Sequence, residues 1–70
     1  EDFVLDVEPV SNQVVVKTTT AAAQVIAESI DNLYIDNIVA SIAGDNVVLI
    51  ISNDETKAKE VAKTIENNIK

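Results

Sequence analysis

The chain has no cysteine, histidine, tryptophan or methionine. Arginine is missing too, so its five positive charges are the lysines at 17, 57, 59, 63 and 70. Each absence removes a class of chemistry. Without cysteine there is no disulfide framework and no thiol nucleophile. With neither cysteine nor histidine, no zinc or other metal site is expected. Without histidine, Ser11, Ser29, Ser41 and Ser52 lack a visible base. A carboxylate pair can do general acid–base work, but twelve acids in a small chain are mostly solvated surface. The chain is not expected to be an enzyme. Twelve acids against five lysines leave a net charge of −7. Binding nucleic acid needs a basic patch to neutralise phosphates, and this chain cannot supply one. A cationic ligand suits it better. No run of about 18 apolar residues exists to span a membrane. No signal-peptide pattern is visible, and a cytoplasmic location is expected. The sequence starts at Glu1 rather than Met, so a piece of a longer protein is expected.

What is present is aliphatic. Hydrophobic residues make up 47% of the chain, which excludes a disordered tail. The core is built from Val, Ile, Leu and Ala, and Phe3 and Tyr34 are the only aromatics. Seventy residues make one domain at most. A lone core of that size contributes on the order of 3–5 kcal/mol. Disulfides and zinc being excluded, association with copies of itself is the remaining support.

The pattern along the chain predicts ββαββα. Residues 3–8 partly alternate and read as a strand that Pro9 ends. Residues 13–18, QVVVKT, make a second β-branched strand after a turn at VSN. The period then changes. Ala22, Ala23, Ile26, Ile30 and Leu33 recur at helical spacing and predict a helix over about 20–33, with Thr19 or Thr20 as N-cap. Residues 36–43 and 46–52 read as two more strands joined at Gly44-Asp45, the one glycine of the chain. A second helix closes the chain. Ser52 and Glu55 have capping-box spacing, and Ala58, Val61, Ala62, Ile65 and Ile69 form its buried stripe. Asp54 and Glu55 sit at the positive end of its dipole and Lys70 at the negative end. The class is therefore α+β: a two-layer fold with a four-stranded antiparallel sheet and two helices on one face. "VVLII" and "VVV" are apolar on both sides of their strands, where a sheet with one wet face should alternate. Other subunits are expected to cover the second face.

Two acids stand out as ligand groups. Gln24 and Asp31 are seven residues apart, so both project from one helix face, roughly 10 Å apart along the axis. Asp31 falls in the last turn, where a negative charge opposes the dipole and costs about 0.3–1 kcal/mol if uncompensated. A bound cation would compensate it; the plainer reading is that Asp31 and Asn32 simply end the helix. Asp45 is equally open. It is an ordinary turn former, and it is also a carboxylate at a hairpin tip, beside a glycine that lets a ligand approach. A carboxylate there can hold a guanidinium in a bidentate pair.

"AAAQVIAESIDNL" (21–33) followed by "ASIAGDNVVLI" (40–50) resembles the C-terminal domain of bacterial arginine repressors, in the Gram-positive version of the family. That family shows a small-residue pair and Gln opening the first helix, an Asp near its end, and later a Gly-Thr-Ile-X-Gly-Asp-Asp-Thr turn. The resemblance covers about residues 13–69, and the two stretches together are fairly specific. It implies trimers built through the sheets, stacked in pairs as hexamers. It implies L-arginine bound as corepressor at the trimer–trimer interface, and a separate N-terminal winged-helix domain that reads operator DNA. By position, Gln24, Asp31 and Asp45 match the family's arginine contacts, within a site that also takes in Ala43, Gly44 and Asn46. Asp45 would take the guanidinium, and Gln24 and Asp31 would help to fix the amino-acid end.

Three departures matter. Asn46 stands where the family has its second turn acid, Val47 replaces the following Thr, and Thr20-Ala21 replaces the usual Pro-Gly. A charge-assisted bond is roughly twice as strong as a neutral one. Asn46 therefore implies weaker arginine binding than in members with two acids. The alternative is a structural assembly domain of the same fold that has lost arginine sensing.

Overall fold

The structure, a computed structural model, describes residues 3–70. Six elements follow in the order ββαββα: β1 (Val4–Val10), β2 (Gln13–Thr18), α1 (Ala23–Asp31), β3 (Ala40–Ala43), β4 (Val47–Ile51) and α2 (Glu55–Asn68). The strands form one antiparallel sheet in the order β1-β2-β4-β3. Helix α2 packs over β1 and β2, while α1 packs over β3 and β4. The α+β class and the two-layer arrangement are as the sequence predicts.

The core lies between sheet and helices. Val4, Val7, Val14, Val16, Val48 and Ile50 supply the sheet side. Ala23, Ile26 and Ile30 face them from α1, and Ala58, Val61, Ala62, Ile65 and Ile69 from α2. Leu33 does not join them. It lies beyond the end of α1 and is exposed, and Ile35 and Ile38 pack against the core in its place.

Several boundaries differ from expectation, each for a local reason. Pro9 does not end β1 but lies inside it, opposite Val14. β1 is an edge strand, and an edge tolerates a residue without an N–H. Residues 36–39 are not strand: Asn37 turns through a left-handed φ of 75°, and β3 starts at Ala40. The capping box at Ser52 and Glu55 is not formed. Asp54 is the N-cap of α2, and its Oδ1 accepts from the Lys57 N–H at 2.8 Å. Ser52 instead ends the sheet, buried, its N–H donating to the Asn12 carbonyl at 2.9 Å. At the far end of α2, Lys70 pairs with Glu66 at 3.4 Å.

Helix α1 starts later than the threonines suggest. Its N-cap is Ala22, and no side chain of its own chain segment caps it. The Thr18 hydroxyl donates to the Thr19 carbonyl, and residues 19–22 form a tight turn. Within that turn Ala21 has φ 67°. A residue with a Cβ pays about 1–2 kcal/mol in that region, and glycine does not. Ala21→Gly is therefore expected to raise stability by about 1 kcal/mol, less a few tenths from the freer unfolded chain. A urea midpoint at unchanged slope measures it, and a lower midpoint would contradict the strain argument.

The face of the sheet turned away from the helices is apolar. The register lines up Val15 with Leu49 and Leu49 with Ile42, and places Ile51 between Gln13 and Ala40. Ile42 is 61% exposed, and Val15, Val47, Leu49 and Ile51 are half-buried only by one another and their neighbours. Asp6 and Glu8 of β1 and Lys17 of β2 border this patch on the same face. These are not scattered valines but one contiguous surface spanning β2, β4 and β3.

Candidate functional site

All the predicted residues but Asp31 cluster where α1 begins and the β3–β4 hairpin turns. The hairpin closes through the Gly44 N–H, which donates to the Val47 carbonyl at 2.8 Å. The loop residues are thus Asp45 and Asn46, with Gly44 flanking them rather than sitting first in the loop. Gly44 does not have a positive φ, and neither do Asp45 and Asn46. The turn is therefore not of the primed kind that matches strand twist and favours glycine. A Cβ built on Gly44 would meet the Val47 carbonyl oxygen at 3.6 Å, an ordinary contact. The fold does not demand the one glycine of the chain. Gly44→Ala is expected to leave the midpoint of thermal unfolding unchanged or raised, by at most about 1 kcal/mol. A large loss would show that the turn needs glycine after all.

The carbonyls of the turn find partners outside the hairpin. The Asn46 carbonyl accepts from the Thr18 N–H at 2.8 Å, which ties the turn to β2. The Asp45 carbonyl accepts from the Ala23 N–H at 3.1 Å, the first residue of α1. The Asp45 carboxylate adds a second tie, Oδ2 accepting from the Ala21 N–H at 3.3 Å. One residue along, the Gln24 side-chain Nε2 donates to the Ala43 carbonyl at 3.2 Å. Three contacts therefore hold the first turn of α1 against residues 43–45. One of them, the Asp45 carbonyl, gives the Ala23 N–H an acceptor that the helix start does not provide. Reading along the sequence missed Ala21 and Ala23, whose contribution is main-chain N–H and carries no residue-type signal.

The structure brings Gln24, Ala43, Gly44 and Asp45 together, with Asn46 adjoining them. Gln24, Asp45 and Asn46 are all exposed. Asp31 is not in contact with them. It is the last residue of α1, exposed, on the helix face of Gln24 and roughly 10 Å further along the axis. The helix ends on Asn32, whose N–H reaches the Glu28 and Ile30 carbonyls, while the Asp31 carbonyl accepts from the Tyr34 N–H at 3.2 Å. The Asp31 carboxylate itself takes no part in that ending, and no basic residue occupies the last turn of α1.

Electrostatically the cluster is one-signed. Among the described residues, the ion pairs run along α2, between Lys59 and Glu55 and between Lys70 and Glu66. Lys17 belongs to the open face of the sheet. Among the described residues, the exposed Asp31 and Asp45 carboxylates form no ion pair. Among the described residues no group of three or more acids gathers closely enough to hold a metal ion. The chemistry on offer is hydrogen-bonded capture of a cationic group. A separate open groove of about 410 Å³ lies between the 33–37 segment and α2, lined by Leu33, Asp36 and Glu60 among others. It contains none of the cluster.

Comparison with known proteins identifies the family. The family model for the arginine repressor C-terminal domain matches residues 1–67. The arginine repressor of Clostridium novyi is 44% identical over 63 residues, which is 90% of this chain and 42% of that protein. That of Clostridium acetobutylicum is 44% identical over 66 residues, 94% of this chain and 44% of its own length. The Halothermothrix orenii protein is 28% identical over 67 residues. The chain spans less than half the length of these curated relatives. It belongs to the family of arginine repressor C-terminal domains.

Proposed function

We propose that this chain is the ligand-sensing and assembly domain of an arginine-responsive transcription regulator of the cytoplasm. Residues 1–70 form that domain, and a separate winged-helix domain of the full protein reads operator DNA. Its own charge of −7 supports that division of labour, because the phosphate contacts must come from elsewhere. The family supports a regulator rather than an enzyme. Subunits meet through their open apolar sheet faces as trimers, and two trimers stack. L-arginine serves as corepressor between the trimers. Asp45 takes the guanidinium, Gln24 and Asp31 hold the amino-acid end, and Ala43, Gly44 and Asn46 complete the wall.

The observation that carries this reading is the stitched corner. Gln24 and Asp45 come from segments about twenty residues apart, yet hydrogen bonds fix them side by side and exposed, and among the described residues Asp45 forms no ion pair. A ligand that bridges trimers binds the hexamer and not its halves, so it shifts the equilibrium toward the hexamer. At a concentration one hundred times its dissociation constant, it contributes about 2.7 kcal/mol per site.

Sedimentation near micromolar protein, with and without millimolar L-arginine, tests the reading. A trimer that becomes a hexamer supports sensing and assembly together. A monomer in both conditions would remove the assembly argument. The second reading, assembly without sensing, rests on Asn46. An oligomer shown calorimetrically not to bind arginine would favour it. Asn46→Asp restores a second carboxylate at the turn and is expected to tighten arginine binding by about tenfold, the value of one added charge on a hydrogen bond. Equal or weaker binding in a calorimetric titration would remove Asn46 as the explanation.

A further inference from the structure

We propose that the left-handed turn at Ala21 is the positioning element of this site: its N–H, with that of Ala23, holds Asp45 in the pose that receives the ligand. The proposal rests on the arginine reading above and adds two main-chain groups to it. Three observations converge on it. Ala21 keeps φ 67° although it carries a Cβ, a conformation that persists only where the surroundings impose it. That conformation puts the Ala21 N–H 3.3 Å from Asp45 Oδ2. The Ala23 N–H, which as the first of α1 has no acceptor within the helix, goes to the Asp45 carbonyl at 3.1 Å.

Asp45 is thus gripped at both its main chain and its side chain by one turn. A carboxylate has about four acceptor directions, so Oδ2 can keep the Ala21 N–H while the group also receives a guanidinium. Held this way, the carboxylate has fewer rotamers to lose on binding, and the saving appears as affinity. The coupling is reciprocal by linkage: a ligand that fixes Asp45 must also steady the turn that holds it. Ala21 and Ala23 touch no ligand in this scheme. They act through Asp45 alone.

Amide hydrogen exchange on the unmodified chain, followed by NMR with and without saturating L-arginine, tests this directly. Shift changes at Gln24 and Asn46 report that arginine is bound. With it bound, the Ala21 and Ala23 amides are expected to exchange about tenfold more slowly, beyond any change at exposed amides on the far side of α2. Arginine-dependent shifts with no added protection at residues 21 and 23, or with less, would overturn the positioning proposal and leave the arginine reading intact. No arginine-dependent shift anywhere would overturn the arginine reading, and the proposal with it. A second measurement uses L-lactate in place of Ala21, which turns that amide into an ester and deletes only the N–H. Arginine affinity is expected to fall about fivefold, the scale of one long hydrogen bond. In an Asp45→Ala background, where the acceptor of that N–H is gone, the same ester is expected to have a smaller effect. Equal losses in both backgrounds would mean a general structural role and would overturn positioning through Asp45.

Discussion

Leu49→Asp is expected to leave this domain folded and monomeric. Leu49 is the centre of the open sheet face, with Val15 on one side and Ile42 on the other. Its side chain points away from the helices, so the core of Val14, Val16, Val48 and Ile50 behind it is untouched. Far-ultraviolet circular dichroism should change little. The interface is another matter. A carboxylate desolvated against apolar partners without a counter-charge costs several kcal/mol, and every subunit of a ring would carry one. Sedimentation should show a multiple of the 7.5 kDa chain for the parent and a single chain for the variant. A Leu49→Asp protein that keeps the parent's mass would place the contact between subunits elsewhere. The same variant should also lose arginine binding, because a site between trimers requires trimers.

Asp45→Ala is expected to act twice, and the two actions can be separated. On the proposed binding it would remove a charge-assisted partner of the guanidinium, worth about 1.5–3 kcal/mol and hence roughly 10–100-fold in affinity. On stability it removes the acceptor of the Ala21 N–H but leaves the main-chain bond to Ala23, so the loss should be well under that of a full helix cap, about 1 kcal/mol. Asp45→Asn keeps an oxygen for Ala21 and loses the charge. It should therefore bind arginine nearly as poorly as Asp45→Ala while unfolding close to the parent midpoint. A calorimetric titration and a urea series on the two variants give both numbers. If Asp45→Asn binds arginine as tightly as the parent, the carboxylate is not the guanidinium's partner.

Apolar periodicity made most of the fold legible. The 3.6-residue stripe of α2, Ala58, Val61, Ala62, Ile65 and Ile69, is buried along its whole length. The β-branched run of β2 occupies the residues its pattern assigns. Where the reading slipped, a long-range partner outweighed a local preference. Thr19 and Thr20 are good caps by type, yet the start of α1 is satisfied by Asp45 from the hairpin, so the helix begins at Ala23. Ser52 has the spacing of a cap but is consumed by the sheet, leaving Asp54 to do the work. Pro9 reads as a stop until the strand order shows that β1 is an edge.

The sequence by itself determined the class and the number of layers. These follow from composition and short-period patterns, which are properties of neighbouring residues: no thiol or imidazole, a charge of −7, stripes at 3.6 and alternation at 2. It also determined that the sheet has apolar residues on both faces, since "VVLII" leaves neither side polar. The tertiary structure decided the rest. Only the pairing of β4 between β2 and β3 gathers Val15, Leu49, Ile42 and Ile51 into one surface. Only the crossing of α1 over the β3–β4 hairpin sets Gln24 and Ala21 against residues 43–45 and leaves Asp31 at the far end of the helix. Hydrogen bonds between segments some twenty residues apart depend on how layers pack, and local sequence does not encode that contact.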